Sequence, residues 1–354
     1  MSDLYQSAPA TSQPFPPPPP AAPGRRIALI LLVVMLAGSA LLNFVLFLML
    51  VGVTMLAGGP QGDFTEKLVA GSPDAARRIL LIRVEGVIAR GTERGSADLV
   101  ASVRKRLAAA AEAEGRFAGI LLLVNSPGGA VSASDEIHSL ITRFKADTGK
   151  PVVAYFEDVA ASGGYYVAAA DRIVAQPTAI TGSIGVIMSL MHIDGLMSKV
   201  GVASNVIISD KTPRKDIGSP YREMTDEERG LLKGIVETMF VRFVDIVDEG
   251  RTGLDRAAVE RLATGMIYTG AEALANGLVD EVGYFDDAVT AARTAAGAPE
   301  AAVIELEADR GLLGSLLFGA RGLLPPAAVR IPFAGLLETG GGQPLYLWLP
   351  GLAK

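Results

Sequence analysis

Four short segments hold residues that could carry out nucleophilic chemistry. Ala161-Ser162-Gly163-Gly164-Tyr165-Tyr166 follows a buried apolar run. A serine between a small residue and two glycines makes a sharp turn that presents its hydroxyl beside unpaired N–H groups. Asn125-Ser126-Pro127-Gly128-Gly129 lies between the run GILLLV and a helical segment, so its backbone N–H groups suit an anion or an oxyanion. Its spacing fits neither a phosphate-binding P-loop nor a dinucleotide fingerprint. Lys215 sits in the polar loop Lys215-Asp216-Ile217-Gly218-Ser219-Pro220. Lysine serves as a base near neutral pH only where burial strips it of water. Ser183, in Thr181-Gly182-Ser183-Ile184-Gly185, could hydrogen-bond an amine. Taken singly, each segment also has a structural reading. Pro-Gly-Gly makes ordinary tight turns, Ser162 could be a helix N-cap, Lys215 a solvated side chain, and Ser183 a turn cap.

Composition narrows the chemistry. The 354-residue chain has no cysteine, which excludes disulfides, thiolate metal sites and a cysteine nucleophile. Its two histidines, His138 and His192, are isolated and read as structural or surface residues, so a base other than imidazole is expected. The net charge of -6 gives no electrostatic footprint for nucleic acid. With 50% hydrophobic residues the chain as a whole is not disordered.

The elements that must position these residues read as alternating strands and helices. Short apolar runs at Ile79–Val84, Gly119–Val124, Val152–Tyr155, Arg172–Ala175 and Val202–Ile208 predict strands. Helical patterns cover Leu99–Glu114, Val131–Phe144, Ala168–Ala170, Asp226–Asp248, Arg256–Ala263, Ala271–Ala275 and Asp286–Ala296. Thr225 followed by Glu228 forms a capping-box signature for the long helix. The alternation predicts an α/β domain with mostly parallel pairing. It is expected to span 79–306, after a Gly/Pro-containing linker at 57–78.

The flanks differ from this core. Residues 1–26 include the unbroken run Pro16–Pro20 and read as a disordered proline-rich tail. Residues 27–56 carry no charge, and about 20 apolar residues suffice for a transmembrane helix. The stretch exceeds the apolar core of a cleavable signal peptide, so an uncleaved anchor is expected. Arg25 and Arg26 precede it, which puts the tail in the cytoplasm and the domain outside. Residues 307–354 form an apolar extension. Its run Leu345-Tyr346-Leu347-Trp348-Leu349, bracketed by Pro344 and Pro350, is expected to dock in extended form against its own domain or a neighbouring subunit, the alternative being a tail lying on the membrane surface.

The four motifs, in this order, resemble the signal peptide peptidase A family, membrane-anchored serine proteases with a Ser/Lys dyad and a fold related to the Clp protease and crotonase superfamily. The resemblance covers roughly Ile79 to Ala296 and fits the family's short form. It implies repeated β-β-α units after one transmembrane helix. It implies Ser162 as nucleophile, Lys215 as general base, Ser183 holding the lysine amine, and an oxyanion hole from Gly163 with Gly128 or Gly129. It further implies no cofactor, apolar remnant signal peptides as substrates, a homo-oligomer, and the bacterial inner membrane. In some members neighbouring subunits complete each site. A crotonase-type hydratase or thioesterase, a membrane protease acting on a stomatin-like partner, and a catalytically silent membrane scaffold are the alternatives.

Overall fold

The computed structural model describes residues 23–57, 64–91, 98–113, 115–168, 170–308 and 345–347. Helix α1 (Pro23–Ala57) forms a unit apart from the residues that follow Phe64. Its stretch Ile27–Met49, 23 residues long with an 18-residue window of mean hydropathy 2.6, is enough to cross a bilayer by length and composition.

The second unit comprises, in chain order, β1 (Phe64–Ala70), β2 (Arg78–Glu85), α2 (Leu99–Glu112), β3 (Phe117–Ser126), β4 (Gly128–Ala130), α3 (Val131–Thr148), β5 (Val152–Ala161), α4 (Gly163–Tyr166), β6 (Arg172–Ala175), β7 (Ile180–Gly182), α5 (Asp194–Lys199), α6 (Asp226–Gly250), α7 (Arg256–Leu262), β8 (Ile267–Thr269), α8 (Gly270–Ala275), β9 (Glu281–Val282), α9 (Phe285–Ala295), β10 (Ala302–Ala308) and β11 (Leu345–Leu347). Nine of these strands make one sheet, ordered β1-β10-β2-β3-β5-β6-β9, with β7 joined to β5 and β8 joined to β7. Pairing from β10 through β9 is parallel, so the α/β expectation holds.

A parallel sheet covered on both faces needs strands apolar throughout. In β3, Ile120, Leu122 and Val124 enter one core with α2, α3 and α6, while Leu121 and Leu123 enter the other against α9. β2 divides in the same way, Leu80 and Ile82 opposite Ile79 and Leu81. This period of two explains why GILLLV reads as one unbroken apolar run. α6 starts at the expected capping box, with the Glu228 N–H donating to Thr225 Oγ1 and the Thr225 N–H to Glu228 Oε2.

Three expectations are corrected. The linker at 57–78 contains β1, which pairs antiparallel with β10, so the folded unit begins at Phe64 and β10 carries it to Ala308. β1 is a half-exposed edge strand of mixed residues, with the exposed ion pair Lys67–Glu307 at 3.0 Å across it, and edge strands lack the unbroken apolar run of central ones. Val202–Ile208 is irregular and exposed, because its β-branched residues find no neighbouring strand. The helix expected at Ala168–Ala170 lies earlier, at Gly163–Tyr166. Of the C-terminal extension, β11 pairs antiparallel with β4, in the extended form expected. The rest of the extension and residues 1–22 lie outside the described residues.

His138, on α3, packs edge-on to Tyr166 with ring centroids 5.6 Å apart. Burial, and then Arg242, depress its pKa from 6.5 to about 4. Between these values the unfolded chain binds a proton that the native imidazole refuses. The contribution is therefore complete above pH 6.5 and falls as pH drops towards 4. Chemical denaturation across this window should show stability falling with acid, and His138→Gln should flatten that part of the slope.

Candidate active site

The strand order places the expected site residues at one end of the sheet. β3 and β5 are parallel neighbours, and their register sets Ser126 beside Ala160. The turns that follow, at Pro127–Gly129 and at Ser162–Gly164, therefore leave the same edge. Gly164 lies so close to the Ser126 carbonyl that a Cβ would overlap it, and a Cβ on Gly129 would overlap the backbone of Ile88. Glycine at these positions lets three chain segments meet with no side chain between them.

Ser162 has φ 51° and ψ −116° and is almost fully buried. A non-glycine residue in such a conformation costs about 1–3 kcal/mol. It is held there by its own N–H, which donates to the Gly182 carbonyl at 2.7 Å, and by its carbonyl, which accepts from the Tyr166 N–H at 2.9 Å. Ser162 occupies the N-cap position of α4, as its structural reading expects, but its side chain makes no capping hydrogen bond. Ser183 is the other described non-glycine residue with positive φ, at 49°. It follows the end of β7, which runs parallel to β5 with Gly182 opposite Ala161, so Ser183 adjoins the Ser162 turn. The Ser183 N–H donates to the Met266 carbonyl at 2.7 Å.

The two glycines of the Pro-Gly-Gly turn differ. The Gly128 N–H donates to Ser126 Oγ at 3.1 Å, and that hydroxyl donates to the Gly86 carbonyl at 2.6 Å. The Gly128 carbonyl and the Ala130 N–H both bond Ile88, each at 2.8 Å. Backbone groups alternate sides along a strand, so the Gly129 N–H and C=O face away from Ile88. On that side lies β11, with Tyr346 opposite Gly129.

Lys215 stands apart. It lies in an exposed turn, and its ammonium has no hydrogen bond or ion pair among the described residues. The structure thus brings together Ser162, Ser183, Gly128, Gly129 and Gly163, and among the described residues no hydrogen bond links the Lys215 side chain to them.

Sequence reasoning assigned no role to Ser126, Tyr165 or Tyr166, although all three stand inside the motifs. Tyr165 donates its hydroxyl to the buried Leu278 carbonyl at 2.7 Å, and its ring meets Phe156 edge-on. Tyr166 donates to Asp135 Oδ1 at 2.6 Å and packs against Phe243 at 4.9 Å. The pair anchors the short helix behind Ser162 on two sides. The signal available in the sequence was two amphipathic rings directly after a glycine turn. Tyr165→Phe strands a buried carbonyl and should cost about 1–3 kcal/mol. Tyr166→Phe releases a half-exposed carboxylate to water and should cost about 0.5–1.5 kcal/mol. Thermal unfolding of the two variants in detergent should rank them in that order.

The profile of peptidase family S49 matches residues 144–298, a span that includes Ser162, Ser183 and Lys215. A candidate protease of Synechocystis sp. is 34% identical over 280 residues, covering 77% of this chain and 96% of that protein. A candidate signal peptide peptidase of Enterococcus faecium is 40% identical over 192 residues, covering 54% of this chain and 55% of that protein. The chain thus matches about half the length of the Enterococcus relative. Among solved structures, a ClpP1 mutant of Listeria monocytogenes aligns with a TM-score of 0.39 and 17% identity, over 59% of this chain and 94% of that one. With nearly the whole Synechocystis protein matched and the S49 profile spanning the serine turn, the chain belongs to peptidase family S49.

Proposed function

We propose that this protein is a membrane-anchored serine endopeptidase that cleaves extended, apolar peptides, among them remnant signal peptides, with Ser162 as nucleophile and Lys215 as general base. The observation that carries this reading is Ser162 itself: a buried serine held at positive φ at a strand end, its side chain spared from capping. Ser162 Oγ attacks the scissile carbonyl carbon and passes its proton to the neutral Lys215 amine. The carbonyl oxygen becomes an oxyanion and accepts hydrogen bonds from the N–H groups of Gly163 and Gly129. Gly129 is preferred to Gly128 because the Gly128 N–H already serves Ser126. Lys215 then protonates the leaving amine, the C–N bond breaks, and an acyl-enzyme remains. Water, losing its proton to Lys215, hydrolyses that ester and restores Ser162. Ser183 Oγ accepts a hydrogen bond from the Lys215 amine and keeps its lone pair aimed at Ser162.

The exposed position of Lys215 supports a dyad assembled between neighbouring copies in a homo-oligomer. A solvated ammonium is a poor base, and burial at a subunit contact would make it neutral more readily. The same arm of the chain exposes Ile187, Met191, Val206, Ile207, Leu231 and Ile235, with Ile207 90% exposed. Exposed apolar surface on this scale marks a contact face, and a second copy is the occupant that would also deliver the lysine. α1 serves as the anchor, and Arg25 and Arg26 favour a cytoplasmic N-terminus with the catalytic unit on the other side.

Fluorophosphonate labelling and hydrolysis of an apolar reporter peptide test this. Ser162→Ala should abolish both. Lys215→Ala and Lys215→Arg should each lower turnover by about 1,000-fold or more, since a guanidinium does not release its proton. Mixed oligomers of Ser162→Ala and Lys215→Ala chains should regain part of the activity. Hydrolysis by pure Ser162→Ala would overturn the nucleophile, and mixtures that stay inactive would place both dyad members on one chain.

β11 occupies the lane beside Gly129 that an extended substrate would need. Tail and substrate then compete for one row of backbone partners. Deleting residues 337–354 should lower KM for the reporter peptide and leave kcat nearly unchanged. An unchanged KM would place the substrate elsewhere.

A further inference from the structure

We propose that Arg222 is a positioning residue that fixes the loop carrying Lys215 against the start of α6. The inference rests on Lys215 being the general base. The loop is built from overlapping turns: Thr212 N–H to Ser209 carbonyl at 2.8 Å, Lys215 to Thr212 at 3.0 Å, Ile217 to Arg214 at 3.2 Å and Ser219 to Asp216 at 2.9 Å. These bonds are local. They set the shape of the loop, and beyond them, among the described residues, only the exposed ion pair of Arg214 with Glu227 reaches the first turn of α6 from the residues next to Lys215.

Arg222 supplies the position. Its Nε and Nη2 donate to the two carboxylate oxygens of Asp216, at 2.8 and 3.0 Å. Its Nη1 and Nη2 donate to the two oxygens of Glu228, at 2.8 and 2.5 Å. One planar guanidinium thus holds the neighbour of Lys215 and the first turn of α6 at once. Glu228 is buried and also completes the capping box of that helix. The Arg222 hydrogen bonds, and then the Thr225 N–H, push its carboxyl down to about 2, so the clamp stays charged at physiological pH. The Arg222 carbonyl accepts from His192 Nδ1 at 3.0 Å, and the Ile193 N–H donates to the Pro220 carbonyl at 2.8 Å, which ties the preceding segment to the same point.

An exposed single ion pair would contribute little. Here two bidentate contacts share one fork, one of them to a buried carboxylate, and a lysine could not reproduce that geometry. A displacement of about 1 Å in a catalytic group lowers the rate by about 100-fold. The clamp is therefore expected to act on turnover through Lys215.

Kinetics on the full-length protein in detergent, with an activated ester that still reports on Ser162, test the inference. Arg222→Ala should lower kcat by about 10- to 100-fold with KM and oligomer mass unchanged. Arg222→Lys should recover little of the loss, and Asp216→Asn, which leaves Arg222 in place with one acceptor and its Glu228 contacts, should lose less than Arg222→Ala. In a Lys215→Ala background, Arg222→Ala should lower the residual rate no further, because the two act as a unit. A wild-type kcat in Arg222→Ala would overturn the positioning role while leaving the dyad intact. So would an equal loss in the Lys215→Ala background, which would show general damage. Wild-type activity in Lys215→Ala alone would overturn the base, and the positioning role with it.

Discussion

The parallel pairing of β3 with β5 is the contact on which the candidate site depends. Ser126 beside Ala160 sets where both strands end, and the two turns leave the sheet from that line. A one-residue slip would send every side chain of β3 to the opposite core, exchanging Ile120, Leu122 and Val124 for Leu121 and Leu123. Burial on both faces therefore fixes the register. The register then fixes the separation between the Pro-Gly-Gly turn and Ser162. Close packing of Gly164 on Ser126, and of Gly129 on Ile88, leaves these turns no room to shift. Precision at the serine is a consequence of packing in the sheet.

That rigidity also explains how two strained residues persist side by side. Ser162 and Ser183 both hold positive φ without being glycine, and each would relax if its surroundings allowed it. Ser162 is held from the front by Gly182 and from behind by the helix that Tyr165 and Tyr166 pin to opposite neighbours. Thr181 adds a buried hydrogen bond from its hydroxyl to the Ala160 carbonyl at 2.7 Å, which ties β7 to the strand that delivers Ser162. Strain of this kind points a hydroxyl outward from a turn and keeps it out of the capping bond it would otherwise make.

The sequence was most legible where one physical signal dominates. The run GILLLV had to be a central strand, because only burial on both faces suits six apolar residues in succession. Thr225 and Glu228 marked the start of α6 by local hydrogen bonding alone. The edge strand at Phe64–Ala70 was hidden, since its partner β10 lies more than 230 residues away and Thr65, Glu66 and Lys67 interrupt its apolar residues. Val202–Ile208 misled in the opposite direction, with β-branched residues that find no strand to pair with. In the candidate site, Ser162, Ser183 and the glycines stood out by motif. The hydrogen bonds that separate Gly128 from Gly129 depend on Ser126 and Ile88 meeting in space, which spacing along the chain does not encode.

Lys215 shows where single-chain reasoning ends. A nucleophile of the kind proposed for Ser162 can be prepared by local geometry: turn, register and strain all lie at one end of the sheet. A lysine base differs, because its usefulness depends on how much water and how many charges surround it. In this chain those surroundings are left open, on an exposed arm rich in unpaired apolar side chains. The arm is nonetheless far from shapeless, since Arg222 joins its turn to a capped helix within the single chain. Folding of the sheet and activation of the base thus become separable events. On the proposed dyad, the serine turn is set when the chain folds, while the lysine would act as a base only in surroundings that another chain or a substrate supplies. A peptidase built this way would carry little activity as an isolated subunit.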